Sequence, residues 1–593
     1  MATGGGDETP RPRAVGLALA RPGWTCALVA ALAFASTLPN RPVLDDGWAV
    51  LDNPLVRTPD AGRILGAQYG HAGGATLQGP WRPVATLSWA LQYAIHGRAP
   101  AGYHLVNVLL HALATALVVA LARRVLVAAA PARAAAGALG AGLLFALHPA
   151  HVEAVAPIVA RTDLLAGVGA LGALLLALGP RSPFRLGAAF AALLAGMLSK
   201  ETAAAAPLLY LLVALLAPAA AGLPARPGIA GPEARRALAL AAGVAVLLGA
   251  AVVAYLALRP GAALAPVESR WFGTHPPPVV WATMTRALAE YLRVLVFPAR
   301  LATDFGYASR IPVTTSFGLP SALATAVWGA VLAAGVLAAR RAPLLSLAVL
   351  WTFAALLPVL QIVPIGVLMA ERLLYLPSIG LCLWAGQLPA ALLERVGARR
   401  VRLAVGAASA LALLLLAGRT VARSADWRTP AALWEAELRS APTDPVVNNN
   451  LAVEYTARGD YRRALERLDV ALANAPAYWR AWVNRGIAVH RLGDLDGALA
   501  AFARASAIAP REPSPHYFAG WAHAERGGCA RAIDLFALAE RLQPEDPRTP
   551  LAAAGCLGAL GRMEEAREKL RRAAALDPAD PEPRRRLAAL DGR

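Results

Sequence analysis

The sequence predicts an all-α fold in two parts: a polytopic membrane helix bundle of about eleven spans, then an α-solenoid built from a 34-residue repeat. Three observations predict it. The 593 residues are 57% hydrophobic with a mean hydropathy of +0.49, too apolar for a soluble chain of this size. Apolar runs recur along residues 22–419, with arginines between them. Beyond them, Pro442, Pro476, Pro510, Pro544 and Pro578 recur in one register.

The runs lie near 22–38, 105–122, 136–148, 164–179, 186–199, 203–217, 237–257, 319–339, 344–362, 378–393 and 403–419. Several fall short of the ~20 residues an upright span needs, so their ends must extend into flanking motifs. Region 279–297 is also apolar but carries Arg286, Glu290 and Arg293 on one helical face. It reads as a helix lying on the membrane surface; a pair of crossings through 259–318 would leave the other spans unchanged.

The formal charge is +19, and Lys200 and Lys569 are the two lysines among 57 Lys and Arg. A basic excess can signal nucleic acid. Here the arginines sit between apolar runs, so they mark orientation and no nucleic-acid partner is expected. With the N-terminus inside, the inner loops hold Arg123-Arg124-Arg133, Arg181-Arg185, Arg226-Arg235-Arg236, Arg340-Arg341 and Arg395-Arg399-Arg400-Arg402. The outer side receives Asp45, Asp46, Asp52, Asp60, Glu153, Asp163, Glu201, Glu268, Glu290, Asp304 and Glu371. The expected domains are a cytoplasmic tail at 1–21, a membrane domain at 22–426 with its first outer loop at 39–104, and an external repeat domain at 427–593. The first run also has a signal-peptide look, with Ala33-Phe34-Ala35 as a cleavage site; the aspartate pair lies outside either way. Cys26, Cys382, Cys529 and Cys556 show no metal spacing, and no Cys529–Cys556 disulfide is expected.

In the tail, Ala464, Ala498, Ala532 and Ala566 share one register, as do Leu468, Phe502, Phe536 and Leu570, and Ala471, Ala505, Ala539 and Ala573. Gly459, Gly493, Gly527 and Gly561 mark the turns. This is the tetratricopeptide pattern. It gives repeats at 442–475, 476–509, 510–543 and 544–577 with a cap at 578–593, a protein-binding or peptide-binding solenoid. Asn450 and Asn484 occupy equivalent first-helix positions, where an amide can clamp a peptide backbone or serve the repeat itself; Phe518 and Ala552 replace them in the later repeats.

The first outer loop contains Asp45-Asp46-Gly47-Trp48, then Asn53-Pro54, then Trp81-Arg82-Pro83. Adjacent carboxylates can supply a general base, because each charge raises its neighbour's pKa. They can also hold a divalent cation, Mg or Mn, and a solvated turn shows the same pattern. His104, Asn107 and His111 share a helical face and suit a wet cavity or helix-to-helix hydrogen bonds. In Leu147-His148-Pro149-Ala150-His151-Val152-Glu153, both histidines and Glu153 are candidate metal ligands, but Pro149 breaks the helix and a hydrogen-bonded site competes. Arg161-Thr162-Asp163 follows. Lys200 in Ser199-Lys200-Glu201-Thr202 is the one lysine of the membrane region, a compact ammonium suited to phosphate or carboxylate, or a simple partner for Glu201. Arg372, beside Glu371, has a fork that matches phosphate oxygens, or is neutralised by that neighbour.

Taken in order, the Asp-Asp loop, WRPVATLSWALQYAIHG, YHLVNVLLHAL, FALHPAHVEAVAPIVARTDLLA, LSKETAAAAPLL and ERLLYLPSIG, followed by the repeats, resemble the transmembrane and tetratricopeptide-repeat-containing proteins. These are O-mannosyltransferase-type members of the C-type glycosyltransferase fold class. The resemblance covers about 40–590. It implies an inverting enzyme that takes a sugar from a polyprenyl phosphate on the outer face of the membrane. It places the catalytic base at Asp45 or Asp46, Asp45 being favoured, and the phosphate-binding cation at Lys200 or Arg372. The animal members act on Ser or Thr hydroxyls of exported proteins. The Ala/Arg-rich composition and short array suggest a bacterial relative, in an inner membrane with periplasmic repeats, or a luminal array in the endoplasmic reticulum if eukaryotic. Arg82, His104, His111, His148, His151, Glu153, Arg161, Asp163, Lys200, Glu201, Glu371 and Arg372 are the expected substrate-site residues.

The chemistry is coherent on its own terms: an acceptor hydroxyl needs a base, and a departing phosphate needs cations. Two rivals are a non-catalytic membrane-anchored scaffold and a transporter using the outer carboxylates as an ion site. Charges gathered at one membrane face disfavour the transporter.

Overall fold

The computed structural model describes residues 21–66, 81–223, 232–259, 276–303, 311, 313–314, 316–362, 367–578 and 580–591. The expected cytoplasmic tail up to residue 20, Arg226, Glu268 and Asp304 lie outside them. The described residues form helices and turns, with no strand among them. They fall into two compact units that divide at Thr429–Pro430, three residues beyond the expected boundary. Trp427 explains the difference: it is fully buried in the first unit.

Prolines open many of the helices, where a missing N–H costs nothing: Pro22, Pro83, Pro100, Pro183, Pro343, Pro445 and Pro513. In the first unit, four helices are long and apolar enough to cross a membrane: Pro100–Ala129, Arg235–Leu258, Leu319–Arg340 and Arg399–Asp426. A fifth forms if Pro131–Leu147 and Pro149–Val155 are one span, bent by 50° where Pro149 interrupts the ladder. The expected eleven spans are therefore not established by helix length. Pro22–Thr37, Pro183–Met197, Glu201–Leu216 and Pro343–Val359 are apolar but shorter, because polar motifs and prolines end them. Leu323, Val327, Leu411, Leu414 and Leu415 stand more than half exposed on two of the long helices. Water-soluble folds do not leave such stripes open, so the unit is a membrane protein.

Glycines let its helices touch. A Cβ on Gly140 would strike the Gly386 backbone, and one on Gly169 would strike that of Gly196, the small-residue packing that replaces the hydrophobic effect between helices in lipid. The helix Pro277–Val296 is amphipathic: Ala282, Leu288, Tyr291 and Leu295 are buried, Arg286 faces out, and Arg293 pairs with Glu290 at 2.6 Å.

The second unit is a run of helix pairs: Pro445–Ala457 with Tyr461–Asn474, Trp479–Arg491 with Leu495–Ile508, Pro513–Glu525 with Cys529–Leu542, and Arg548–Ala559 with Met563–Leu576. Glu582–Asp591 follows as a last helix. Gly459, Gly493, Gly527 and Gly561 take φ between +76° and +89° at the turns, a region that only glycine enters without strain. Side-chain size is matched across each pair. A Cβ on Gly486 would collide with the Phe502 ring, and one on Gly520 with Phe536. Where the repeat carries Leu468 or Leu570 instead of Phe, the equivalent positions are Ala452 and Ala554. All four cysteines are free.

Candidate active site

The first loop divides the two aspartates. Leu44 sits at φ +51°, a left-handed conformation costing a branched residue about 1–2 kcal/mol. It turns the chain so that Asp45 is exposed and Asp46 is fully buried. Asp46 accepts the Val43 amide N–H at 3.0 Å through Oδ2 and the Val159 amide N–H at 2.8 Å through Oδ1. Burial pushes its carboxyl up to about 7, against the pull of these amides. Such a value suits a general base, but geometry decides first: both oxygens are committed and the group is closed to solvent. Asp46 is a clamp between the loop and the 157–160 segment. Among the described residues no group of three or more His, Cys, Asp or Glu side chains converges as a ligand set.

Asp45 keeps its carboxylate open. Its Oδ1 accepts the Trp48 indole N–H at 3.1 Å. It lines a cavity of about 200 Å³ together with Arg82, Glu153, Asp163, Lys200, Glu201 and Arg372. Inside, the cations are paired across the chain rather than along it. Lys200 Nζ lies 2.6 and 2.7 Å from the two oxygens of Asp163. Arg372 donates from its guanidinium to Glu153 Oε1, and its amide to Oε2 at 3.0 Å. Arg82 stands 3.8 Å from Glu201, which also accepts the Tyr255 hydroxyl at 3.0 Å. Burial lowers the Lys200 ammonium to about 8, although Asp163 opposes this. Burial also works against Arg372, but Glu153, Asp163 and Asp45 outweigh it and hold the guanidinium above its ordinary value. Among the described residues, Asp45 is the one lining carboxylate that makes no ion pair.

The neighbour pairings considered from sequence do not form. Lys200 leaves Glu201 for Asp163, and Arg372 leaves Glu371 for Glu153. Glu371 is fully buried, accepts the Ala302 amide and lies 3.5 Å from Arg423. Each pair of neighbours sits on a tight turn, which sends consecutive side chains apart.

The histidines stand outside the cavity. Breaking the helix at His148–Pro149 frees its last carbonyls, and inside lipid these must find donors. His151 Nδ1 meets the Phe145 carbonyl at 2.8 Å, His111 Nε2 the Ala146 carbonyl at 3.4 Å, and Thr420 Oγ1 the Leu147 carbonyl at 2.7 Å. Asn107 Nδ2 donates to Val155 and Pro157 carbonyls at 3.2 and 2.8 Å. His104 meets the Asn40 carbonyl at 3.1 Å and His148 the Leu295 carbonyl at 3.0 Å. His148 Nδ1 accepts the Ala150 amide, which makes the ring neutral. His148, His151 and Glu153 therefore do not form a metal set. Arg161 is buried on Asn107 Oδ1 at 3.0 Å and the Tyr103 carbonyl at 3.1 Å, behind the cavity wall. Sequence reasoning missed Leu44, Thr162 and Trp427 in the lining; the non-glycine left-handed turn at Leu44 leaves no mark in the sequence.

In the second unit, Asn484 Nδ2 donates to Asn449 Oδ1 at 2.8 Å, and Asn449 Nδ2 to Asn450 Oδ1 at 3.1 Å. The two candidate peptide-binding amides thus join one ladder across adjacent repeats.

Fold and site together define a membrane protein with a charged cavity of cation–carboxylate pairs, joined to a tetratricopeptide array. Residues 449–513 and 517–581 match the tetratricopeptide-repeat family model. The chain is 30% identical over 553 residues to protein O-mannosyl-transferase Tmtc1 of Drosophila melanogaster, covering 77% of this chain and 62% of that protein. It is 26% identical over 460 residues to protein O-mannosyl-transferase F38B6.6 of Caenorhabditis elegans, covering 74% and 60%. A tetratricopeptide-repeat protein of Thermus thermophilus aligns at 25% identity over 30% of this chain and 95% of its own, with a TM-score of 0.26. The chain is thus a homologue of the transmembrane and tetratricopeptide-repeat-containing O-mannosyl-transferases. It spans about three fifths of the length of the two O-mannosyl-transferase relatives.

Proposed function

We propose that the chain is a membrane glycosyltransferase that moves a sugar from a polyprenyl phosphate to a hydroxyl, on the outer face of the membrane. The observation that carries the reading is Asp45, a carboxylate without an ion pair among the described residues, in a cavity that also holds Lys200 and Arg372. The relatives' names, protein O-mannosyl-transferases, point to mannose and to a protein oxygen as acceptor; Ser or Thr of an exported protein is the acceptor that the family resemblance implies.

The step is a single displacement. The acceptor oxygen attacks the anomeric carbon, the bond from that carbon to the phosphate oxygen breaks, and the electron pair leaves with the lipid phosphate. Asp45 takes the hydroxyl proton. Arg372 and Lys200, fixed beforehand by Glu153 and Asp163, face the charge that grows on the phosphate, so no reorganisation is needed as it develops. Attack opposite the leaving group inverts the anomeric centre. The deciding experiment is transfer from a synthetic polyprenyl-phosphate mannose to a Ser/Thr peptide by the purified chain and by Asp45→Asn. Transfer by the native chain alone supports the reading; equal transfer by both removes Asp45 from it.

A further inference from the structure

A second charged cavity, of about 790 Å³, opens elsewhere in the first unit. Its lining includes Arg21, Trp24, Val119, Arg123, Arg124 and Val127, and no carboxylate. Arg124 Nε donates to the Ala220 carbonyl at 2.6 Å, and its Nη2 to the Leu178 carbonyl. Arg181 ties to the Ala221 carbonyl at 3.1 Å. Those contacts fasten two helix ends, where cations complement the macrodipole. Arg21 and Arg123 are exposed, and among the described residues neither makes an ion pair. The cavity thus offers two uncommitted guanidinium groups over an apolar floor.

Its level in the membrane follows from the helix Pro100–Ala129. His104, near its start, reaches the Asn40 carbonyl close to the Asp45 loop. Arg123 lies nineteen residues further, about 29 Å at 1.5 Å per residue, close to the ~30 Å of a hydrocarbon core. The two charged cavities therefore sit at opposite headgroup levels. Trp24 is 80% exposed at the mouth of the second, the position of an interfacial aromatic.

The geometry points to a binding site for an anionic phospholipid in the leaflet opposite the candidate active site. The phosphate lies between Arg21 and Arg123, and an acyl chain runs from there toward the bilayer core along Ala120, Val119 and Ala116. A soluble anion would use the arginines but gain nothing from that wall, whereas a lipid uses both.

The test is thermal unfolding of the full chain in a neutral detergent with phosphatidylglycerol, phosphatidylcholine or inorganic phosphate added. Phosphatidylglycerol should raise the midpoint by about 2–4 °C, and phosphatidylcholine should not. R21Q/R123Q should raise the half-saturating phosphatidylglycerol concentration roughly thirtyfold, for two lost surface charges. R21K/R123K, and R399Q/R400Q at exposed arginines outside the cavity, should respond as the native chain does. An unchanged response in R21Q/R123Q overturns the site. Equal shifts from the two lipids overturn the anionic selectivity, and a full shift from inorganic phosphate alone overturns the lipid.

Discussion

Lys200 Nζ bridges both carboxylate oxygens of Asp163, thirty-seven residues away, at 2.6 and 2.7 Å, while its neighbour Glu201 turns to Arg82 and Tyr255. The pair is buried, so it is a preset charge rather than a surface ornament. Removing one partner of such a pair strands the other in a low-dielectric wall.

The pair gives a pH dependence. Burial lowers the Lys200 ammonium to about 8. Donor use should therefore fall as pH rises through about 8, when the ammonium loses its proton. Stability runs the other way: the folded pKa is depressed, so the unfolded chain binds the extra proton between about 8 and its ordinary 10.5, and Lys200 favours the fold increasingly across that window. Lys200→Arg should abolish the fall in donor use, and Lys200→Met should raise KM for the polyprenyl-phosphate donor about 10–100-fold with acceptor KM unchanged. A native profile that stays flat well above the ammonium's lowered pKa would contradict the assignment.

The aspartates should separate by phenotype. Asp45→Asn is expected to cost about 10²–10⁴ in turnover with a native melting midpoint, because its carboxylate is exposed. Asp46→Asn is expected to cost about 1–3 kcal/mol of stability, since an amide side chain has one acceptor oxygen for the Val43 and Val159 N–H groups and turns its NH2 on the other. Denaturation and transfer assays on the same preparations check both. A stable, inactive Asp46→Asn protein would reverse the roles.

The repeats offer a closed test of packing. Gly486→Ala pushes a methyl against Phe502 and should cost about 1–3 kcal/mol. Adding Phe502→Leu restores the Ala–Leu combination that the chain already uses at Ala452 with Leu468 and at Ala554 with Leu570. The double variant should recover most of the loss. Additive losses in unfolding free energy would show that the two sizes are not coupled.

These residues also show what the sequence could reveal. The repeats were legible because their constraints are local and periodic: a glycine at each left-handed turn, a small residue facing each large one. The cavity was legible in its members, since Asp45, Lys200 and Arg372 stood out by type. Their partners were not legible, because Glu201 and Glu371 are adjacent in sequence yet turn away, and the true partners are set by tertiary contacts. The histidines were left undecided by the sequence for another reason. A polar ring near a proline break can bind a ligand or satisfy freed carbonyls, and His111 and His151 do the second. The count of eleven spans is left unestablished at the short helices, where hydropathy alone does not separate a crossing from a buried segment.

The last prediction concerns sidedness. The helix Arg399–Asp426 carries exposed Arg399, Arg400 and Arg402 at its start. At its other end Arg423 is buried 3.5 Å from Glu371, and Trp427 lines the cavity. Its 28 residues span about 42 Å, enough to cross a bilayer. By the positive-inside rule these arginines are expected to hold their end in the cytoplasm, and the cavity end is then expected outside. A reporter fused after Asp426 should therefore behave as exported, and one fused after Arg341 as cytoplasmic. Charge reversal of Arg399, Arg400 and Arg402 to Glu should weaken that bias and yield mixed signals from the fusion at Asp426. If the native fusion at Asp426 reports cytoplasm, the cavity opens on the side where exported proteins are not presented, and transfer to such an acceptor fails as a reading of this chain.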